Sequence, residues 1–242
     1  MKKKCTPIEL CGKLNEYAHS YTSNPSNVDD LRAYQLDLSL LIAEVCSGRP
    51  ITAIDLEKVL DDLYYHLNRF PENRFLLTGR TDKLIQGIVH KMSLPELRGK
   101  PRVQEHSLTM LWFLTTDKEN DRDGYHIDED IVWDWKEQHV QTIVNAMNNH
   151  PKDLQVQCLA LRLLCNLSTT GKNRDHILKH NAIGAIFNAT KYLHASDELA
   201  LLCHSFLRNM TRDMDSKEAR PIEAVKIYAW VVECLLRTDD DL

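Results

Sequence analysis

Glycine and proline are scarce in this chain, with eight of each among 242 residues. Sandwiches and barrels need turn residues at short intervals, and disordered chains are enriched in both types. The shortage therefore favours an ordered chain of long helices. A concentrated positive charge is also missing. Lys and Arg number 30 against 35 Asp and Glu, a formal net charge of −5. Nucleic acid is held by a strong positive field, so this balance argues against DNA or RNA as the partner. No apolar run approaches the roughly 20 residues of a membrane span. The basic start Met1-Lys2-Lys3-Lys4 is not followed by the apolar core of a signal peptide. The expectation is a chain with no membrane partner.

The pairing pattern of a disulfide scaffold is absent as well. The cysteines number seven, an odd count, and none forms a C-x-x-C. Cys158, Cys165 and Cys203 fall inside apolar helical runs, where a free thiol packs as a small hydrophobe. That usage points to a reducing compartment, the cytoplasm with the nucleus allowed. No H-E-x-x-H, Gly-rich phosphate loop or nucleophile elbow occurs. The chain reads as non-enzymatic, with no cofactor.

What is present is a repeat. Leu154–Asn173, LQVQCLALRLLCNLSTTGKN, has apolar residues at Val156, Leu159, Leu163, Leu164 and Leu167, the spacing of a buried helix. Asn166 sits inside that run, where an amide is costly unless its hydrogen bonds are met. The pattern returns 43 residues on, in ELALLCHSFLRNMTRDMDSK, with Asn209 on Asn166, Leu199 on Val156 and Leu207 on Leu164. Ile143-Val144-Asn145-Ala146 likewise falls on Ile186-Phe187-Asn188-Ala189. A third copy pairs Val103-Gln104 with Val156-Gln157, and Leu111 and Leu114 with Leu164 and Leu167. Helical repeats of roughly 40–47 residues indicate stacked helix groups, a solenoid.

A buried helix ending Leu-x-Asn-Leu-Ser, then Asn173-Arg174-Asp175-His176-Ile177-Leu178, then Asn181-Ala182-Ile183-Gly184-Ala185-Ile186, resembles the armadillo repeat. The resemblance covers about residues 72–235. It implies an all-α, right-handed α-solenoid whose third helices carry Asn on a concave binding face. It also implies an adaptor or scaffold that binds another protein or a peptide there. The third copy departs from the pattern, with Phe113 in place of Asn and Trp112 beside it. Thr109, Arg162 and Ser205 stand where peptide-binding members often have Trp.

The remaining chain is read around that stack. Residues 1–70 form a helical section packed on it, and 71–242 form the repeats with a capping helix at Ile222–Leu236. Thr6-Pro7-Ile8-Glu9 and Thr52 with Asp55 are helix-start signatures. The partner-binding candidates are Trp112, Phe113, Arg162, Asn166, Ser205, Asn209 and Arg212. The repeated Asn can instead tie adjacent repeats together, and Trp112, Phe113, Trp133 and Trp135 can instead belong to a core with a polar edge. Asp117–Asp130 is an acidic insertion followed by Trp133 and Trp135. Glu119, Asp121, Asp123 and Asp130 take calcium-loop spacing around Gly124, although position one is Glu rather than Asp. A solvated acidic loop is the plainer reading. His176 and His180 share a helical face without the acid that a zinc motif supplies. Two alternatives stand beside the adaptor. One is a regulatory armadillo segment that forms a homodimer through its N-terminal helices or binds small GTPases. The other is an enzyme using His126 or His139 with the acids around 117–139.

Overall fold

The computed structural model describes residues 5–21, 28–116, 135–193 and 196–211. Its helix starts follow from side chains that close open backbone groups. The Thr6 backbone N–H donates to Glu9 Oε2 at 2.7 Å, and the Glu9 N–H donates to Thr6 Oγ1 at 3.2 Å. This is the reciprocal box expected at the start of α1 (Pro7–Tyr21). After α2 (Val28–Cys46), Thr52 Oγ1 accepts from the Asp55 N–H at 3.1 Å and opens α3 (Ala53–Arg69). A 3-10 helix (Pro71–Leu77), α4 (Thr81–Ser93) and α5 (Pro101–Thr115) follow. Next come α6 (Glu137–Asn149), α7 (Leu154–Leu167), α8 (Gly171–Lys179), α9 (Ala182–Tyr192) and α10 (Asp197–Thr211). The described residues contain no strand, and none of their helices is long and apolar enough to cross a membrane.

The chain divides into two compact units, Met1–Val132 and Trp133–Leu242. In the first, α2 packs on α4 and α3 packs on α5, while α1 covers α2 and α3. Leu38, Leu41 and Val45 of α2 meet this core with Leu56, Leu63 and Leu67 of α3 and Leu84 and Ile88 of α4, all fully buried. Each such side chain contributes about 1.5–3 kcal/mol relative to exposure. Helices α2 and α4 touch backbone to backbone at Gly87. A Cβ there would lie 2.6 Å from the Val45 carbonyl oxygen and 2.9 Å from Cys46 Cα. The bend before α4 uses Gly79 at φ +66, in the left-handed region that glycine enters without strain.

A polar chain runs through this unit. Asn73 Nδ2 donates to Tyr34 Oη at 3.0 Å and to the His66 carbonyl at 3.3 Å. Tyr34 Oη lies 2.9 Å from His66 Nδ1. Tyr34 Oη thus joins Asn73 to the His66 ring, and which of the phenol and the imidazole donates depends on the histidine tautomer. Burial pushes the His66 pKa down from 6.5 to about 4, with Asp62 opposing weakly. Asp62 is itself held by Asn15 Nδ2 at 3.3 Å and Lys58 Nζ at 3.4 Å. The unfolded chain binds this proton more tightly than the folded one. The stability is therefore whole above pH 6.5 and is lost as pH falls toward 4, by roughly 3 kcal/mol in all. His66→Gln keeps an acceptor for Tyr34 and cannot take up the proton. The wild-type-minus-variant stability difference, from urea titrations between pH 4 and 7, should fall with pH; a flat difference refutes the assignment.

In the second unit α6 packs on α9, α7 packs on α10, and α8 touches α6, α7 and α9. The helices within the segments expected to be repeat copies, 139–150 and 182–194, thus touch each other. Asn181, at φ +54, makes the bend from α8 into α9. Asn tolerates this region better than most residues.

One device recurs in both units. The last carbonyls of a helix have no partner within it, and here a later element supplies one. Lys91 Nζ, on a residue only 1 % exposed, donates to the carbonyls of Ser47 and Arg49 just past α2, each at 3.2 Å. Burial holds its ammonium below the usual lysine range. Gln104 Nε2 donates to Met92 and Leu97 carbonyls at 3.3 Å, closing the end of α4. Gln157 Nε2 donates to Met147 and His150 carbonyls at 2.9 and 2.8 Å, closing α6. Arg74 Nε reaches the Leu67 carbonyl at 3.3 Å, and Arg174 Nη1 reaches the Ser168 and Thr169 carbonyls at 3.0 and 3.3 Å.

Candidate functional site

The row of sequence-derived candidates is densest on α7 and α10. Asp153 caps α7 by accepting the Val156 N–H at 3.1 Å. The apolar stripe Val156, Leu161, Leu163, Leu164 and Leu167 is buried, which turns Leu159, Arg162 and Asn166 to the half-exposed side. On α10, Leu199, Cys203, Phe206 and Met210 are buried. Leu201 and Ser205 are left exposed and Asn209 half-exposed. The two helices pack together, so Arg162, Asn166, Ser205 and Asn209 occupy one two-helix surface. Arg162 Nη2 crosses it to Glu198 Oε1 at 2.6 Å. Both partners are exposed, so the pair positions side chains more than it stabilises the fold. Ser205 Oγ is turned back to the Leu201 carbonyl at 3.1 Å.

Asn209 has a defined structural bond. Its Nδ2 donates to the Cys165 carbonyl at 2.9 Å. That carbonyl lies in the last turn of α7, where Ser168 Oγ also reaches it at 2.8 Å. The amide therefore ties α10 to α7, the tethering role foreseen beside partner binding. Asn209→Ala should destabilise the second unit by about 1 kcal/mol. A denaturant titration reads the change, and an unchanged midpoint would show the bond to be dispensable.

The α5 candidates belong to the first unit. Thr109 and Trp112 are half-buried. Phe113, at the position of the repeated Asn, is only 8 % exposed. Its ring meets Tyr64 edge-on at 5.6 Å and lies beneath the Arg74 guanidinium at 5.0 Å. The Phe is therefore held in packing rather than presented to solvent. Arg212, Trp133, His126, the insertion with Glu119, Asp121, Asp123 and Asp130, and the helix expected at 222–236 lie outside the described residues.

Two of the candidate histidines, His139 and His180, have defined contacts. His139 Nδ1 accepts the Lys136 N–H at 3.3 Å in the first turn of α6, and its buried ring stands edge-on to Trp135 at 5.5 Å. His180 Nε2 lies 3.1 Å from Glu137 Oε1, and Lys179 Nζ lies 2.7 Å from Glu137 Oε2. Lys179 first, then His180, draw the Glu137 carboxyl below its usual range. Among the described residues no group of three or more His, Cys, Asp or Glu could hold a metal. The six described cysteines are free. Burial raises the Cys158 thiol to about 11 and the Cys165 thiol to about 12, and pushes Cys11 up as well. Such thiols are poor nucleophiles at neutral pH.

Sequence reading missed the carbonyl-closing residues. The available signals were Val-Gln at 103–104 and 156–157, and Asn-Arg at 73–74 and 173–174. Both Asn residues are buried, and both Arg residues close the end of the helix before them. No family model, curated protein or solved structure matches the chain.

Proposed function

We propose that this chain is a non-enzymatic adaptor or scaffold segment, an armadillo-like α-solenoid that binds a partner protein or peptide on a face built from its third helices. The packing of α2 on α4, α3 on α5, α6 on α9 and α7 on α10 supports stacked repeats. So does the same Gln closing the same helix end in two copies. The observation that carries the binding role is the α7–α10 surface. Leu201 stands 70 % exposed there, among the polar side chains of Arg162, Asn166, Ser205 and Asn209. An exposed apolar anchor within a polar rim is the anatomy of a contact site. The partner class follows from the repeat architecture, which presents extended surfaces.

The test is affinity capture with the full chain, comparing wild type with Leu201→Asp, Arg162→Glu and Asn166→Ala. Leu201→Asp and Arg162→Glu should unfold at nearly the wild-type denaturant concentration, and all three variants should recover the specific partner at least tenfold less well. Equal recovery by all three removes this face from binding.

A further inference from the structure

The outward face of α2 is apolar where a solvated helix is normally charged. Leu36 is 62 % and Leu40 is 47 % exposed, one turn apart, and Ala43 continues the stripe in the open. Leucines at this spacing and exposure form a ready half of a helix–helix contact. Helix α4 runs alongside α2 and borders the stripe with cations. Arg80 Nη1 reaches Ser39 Oγ at 2.6 Å, between the two leucines along the helix. Lys83, one turn on, lies with Arg80 near enough to Cys46 to act on its thiol. Arg32, exposed one turn before Leu36, extends the basic edge.

The described carboxylates of α2 and α4 are Asp37, Glu44 and Asp82. Glu44 pairs with Arg49, Asp37 acts on Lys13 of α1, and Asp82 accepts from Gln86 at 2.6 Å. Among the described residues, Arg32, Arg80 and Lys83 form no ion pair with a carboxylate. Asp82 keeps its charge because Gln86 is a neutral donor, so Arg32, Arg80 and Lys83 leave this border net positive, and an apolar stripe so bordered is complementary to one kind of occupant. We infer that the α2–α4 face docks an acidic amphipathic helix of a partner protein, with aliphatic side chains four residues apart on Leu36 and Leu40 and carboxylates along the Arg80–Lys83 edge. This site lies on helices other than those of the α7–α10 surface and does not depend on it.

The probe is a displayed library of random helical peptides selected on the full chain. Enriched sequences should carry paired aliphatics with Asp or Glu along one flank. A synthetic copy of the most enriched peptide should bind at least tenfold more weakly to Leu36→Asp, to Leu40→Asp and to the double variant Arg80→Glu/Lys83→Glu. Its affinity should also fall as salt rises. All substituted positions are exposed, and an unaltered helical circular dichroism spectrum shows that the variants fold. Enrichment of peptides without acidic residues overturns the proposal. So does binding indifferent to these substitutions, or a selection that enriches nothing dependent on them. A full chain that dimerises, with Leu40→Asp restoring the monomer, would assign the face to a second copy and overturn the proposal too.

Discussion

Gly87→Ala should cost the N-terminal unit about 4 kcal/mol, near the top of the range for one added methyl group. The methyl would meet the Val45 carbonyl oxygen at 2.6 Å and Cys46 Cα at 2.9 Å, both backbone atoms of α2. A rotamer change cannot relieve such a contact, so α4 must move off α2. That movement also pulls Lys91 from the Ser47 and Arg49 carbonyls it closes. The control is Gly12→Ala in α1, where nothing lies within 4 Å of the new Cβ. Alanine there should stabilise by up to about 1 kcal/mol, because glycine is the poorer helix former. The two substitutions are chemically identical, so opposite signs in denaturant titration isolate the helix contact. Hydrogen exchange should localise the loss to α2 and α4. Equal, small effects at both positions would mean that the two helices are not in backbone contact.

The second large effect is expected at Gln157→Glu, again about 4 kcal/mol at neutral pH. The exchange preserves shape and replaces a donor with a negative oxygen. That oxygen would face the Met147 and His150 carbonyls, which now lie 2.9 and 2.8 Å from Nε2 in a fully buried site. Burial and two carbonyl dipoles both disfavour the carboxylate, so the folded-state pKa rises above the unfolded value near about 4.3. A raised acid costs stability as pH climbs through the unfolded pKa. The difference between variant and wild type should therefore shrink on acidification toward pH 4. Gln104→Glu should act in the same direction but less, because its bonds are longer, at 3.3 Å. A Gln157 variant with no pH-dependent difference would show that Nε2 is not the essential group.

The helical class and the paired segments were legible because apolar spacing reports burial directly. Val156, Leu164 and Leu167 are buried where their period places them, and so are Leu199 and Met210. The caps at Thr6 and Thr52 were equally plain, since the groups that meet are three residues apart. Contacts between distant segments were not. Nothing in the sequence around Gly87 announces a carbonyl 42 positions earlier, and a buried lysine at 91 reads as a surface residue until Ser47 and Arg49 are seen beside it. Asn209 was legible as a polar residue in an apolar run that needs a partner. Whether that partner was the Cys165 carbonyl or another molecule was beyond pattern. Phe113 shows the same limit, because its place in the repeat allowed a contact surface or a core until Tyr64 and Arg74 are seen around it.

The carbonyl-closing side chains all reach backwards. Lys91 serves α2, Arg74 serves α3, Gln104 serves α4, Gln157 serves α6 and Arg174 serves α7. During synthesis the ribosome releases the amino-terminal part first, so these five helix ends would emerge open, each closed only when a later element arrives. A pause in translation once residue 74, 91, 104, 157 or 174 has cleared the exit tunnel would then let one seal set before the next helix emerges.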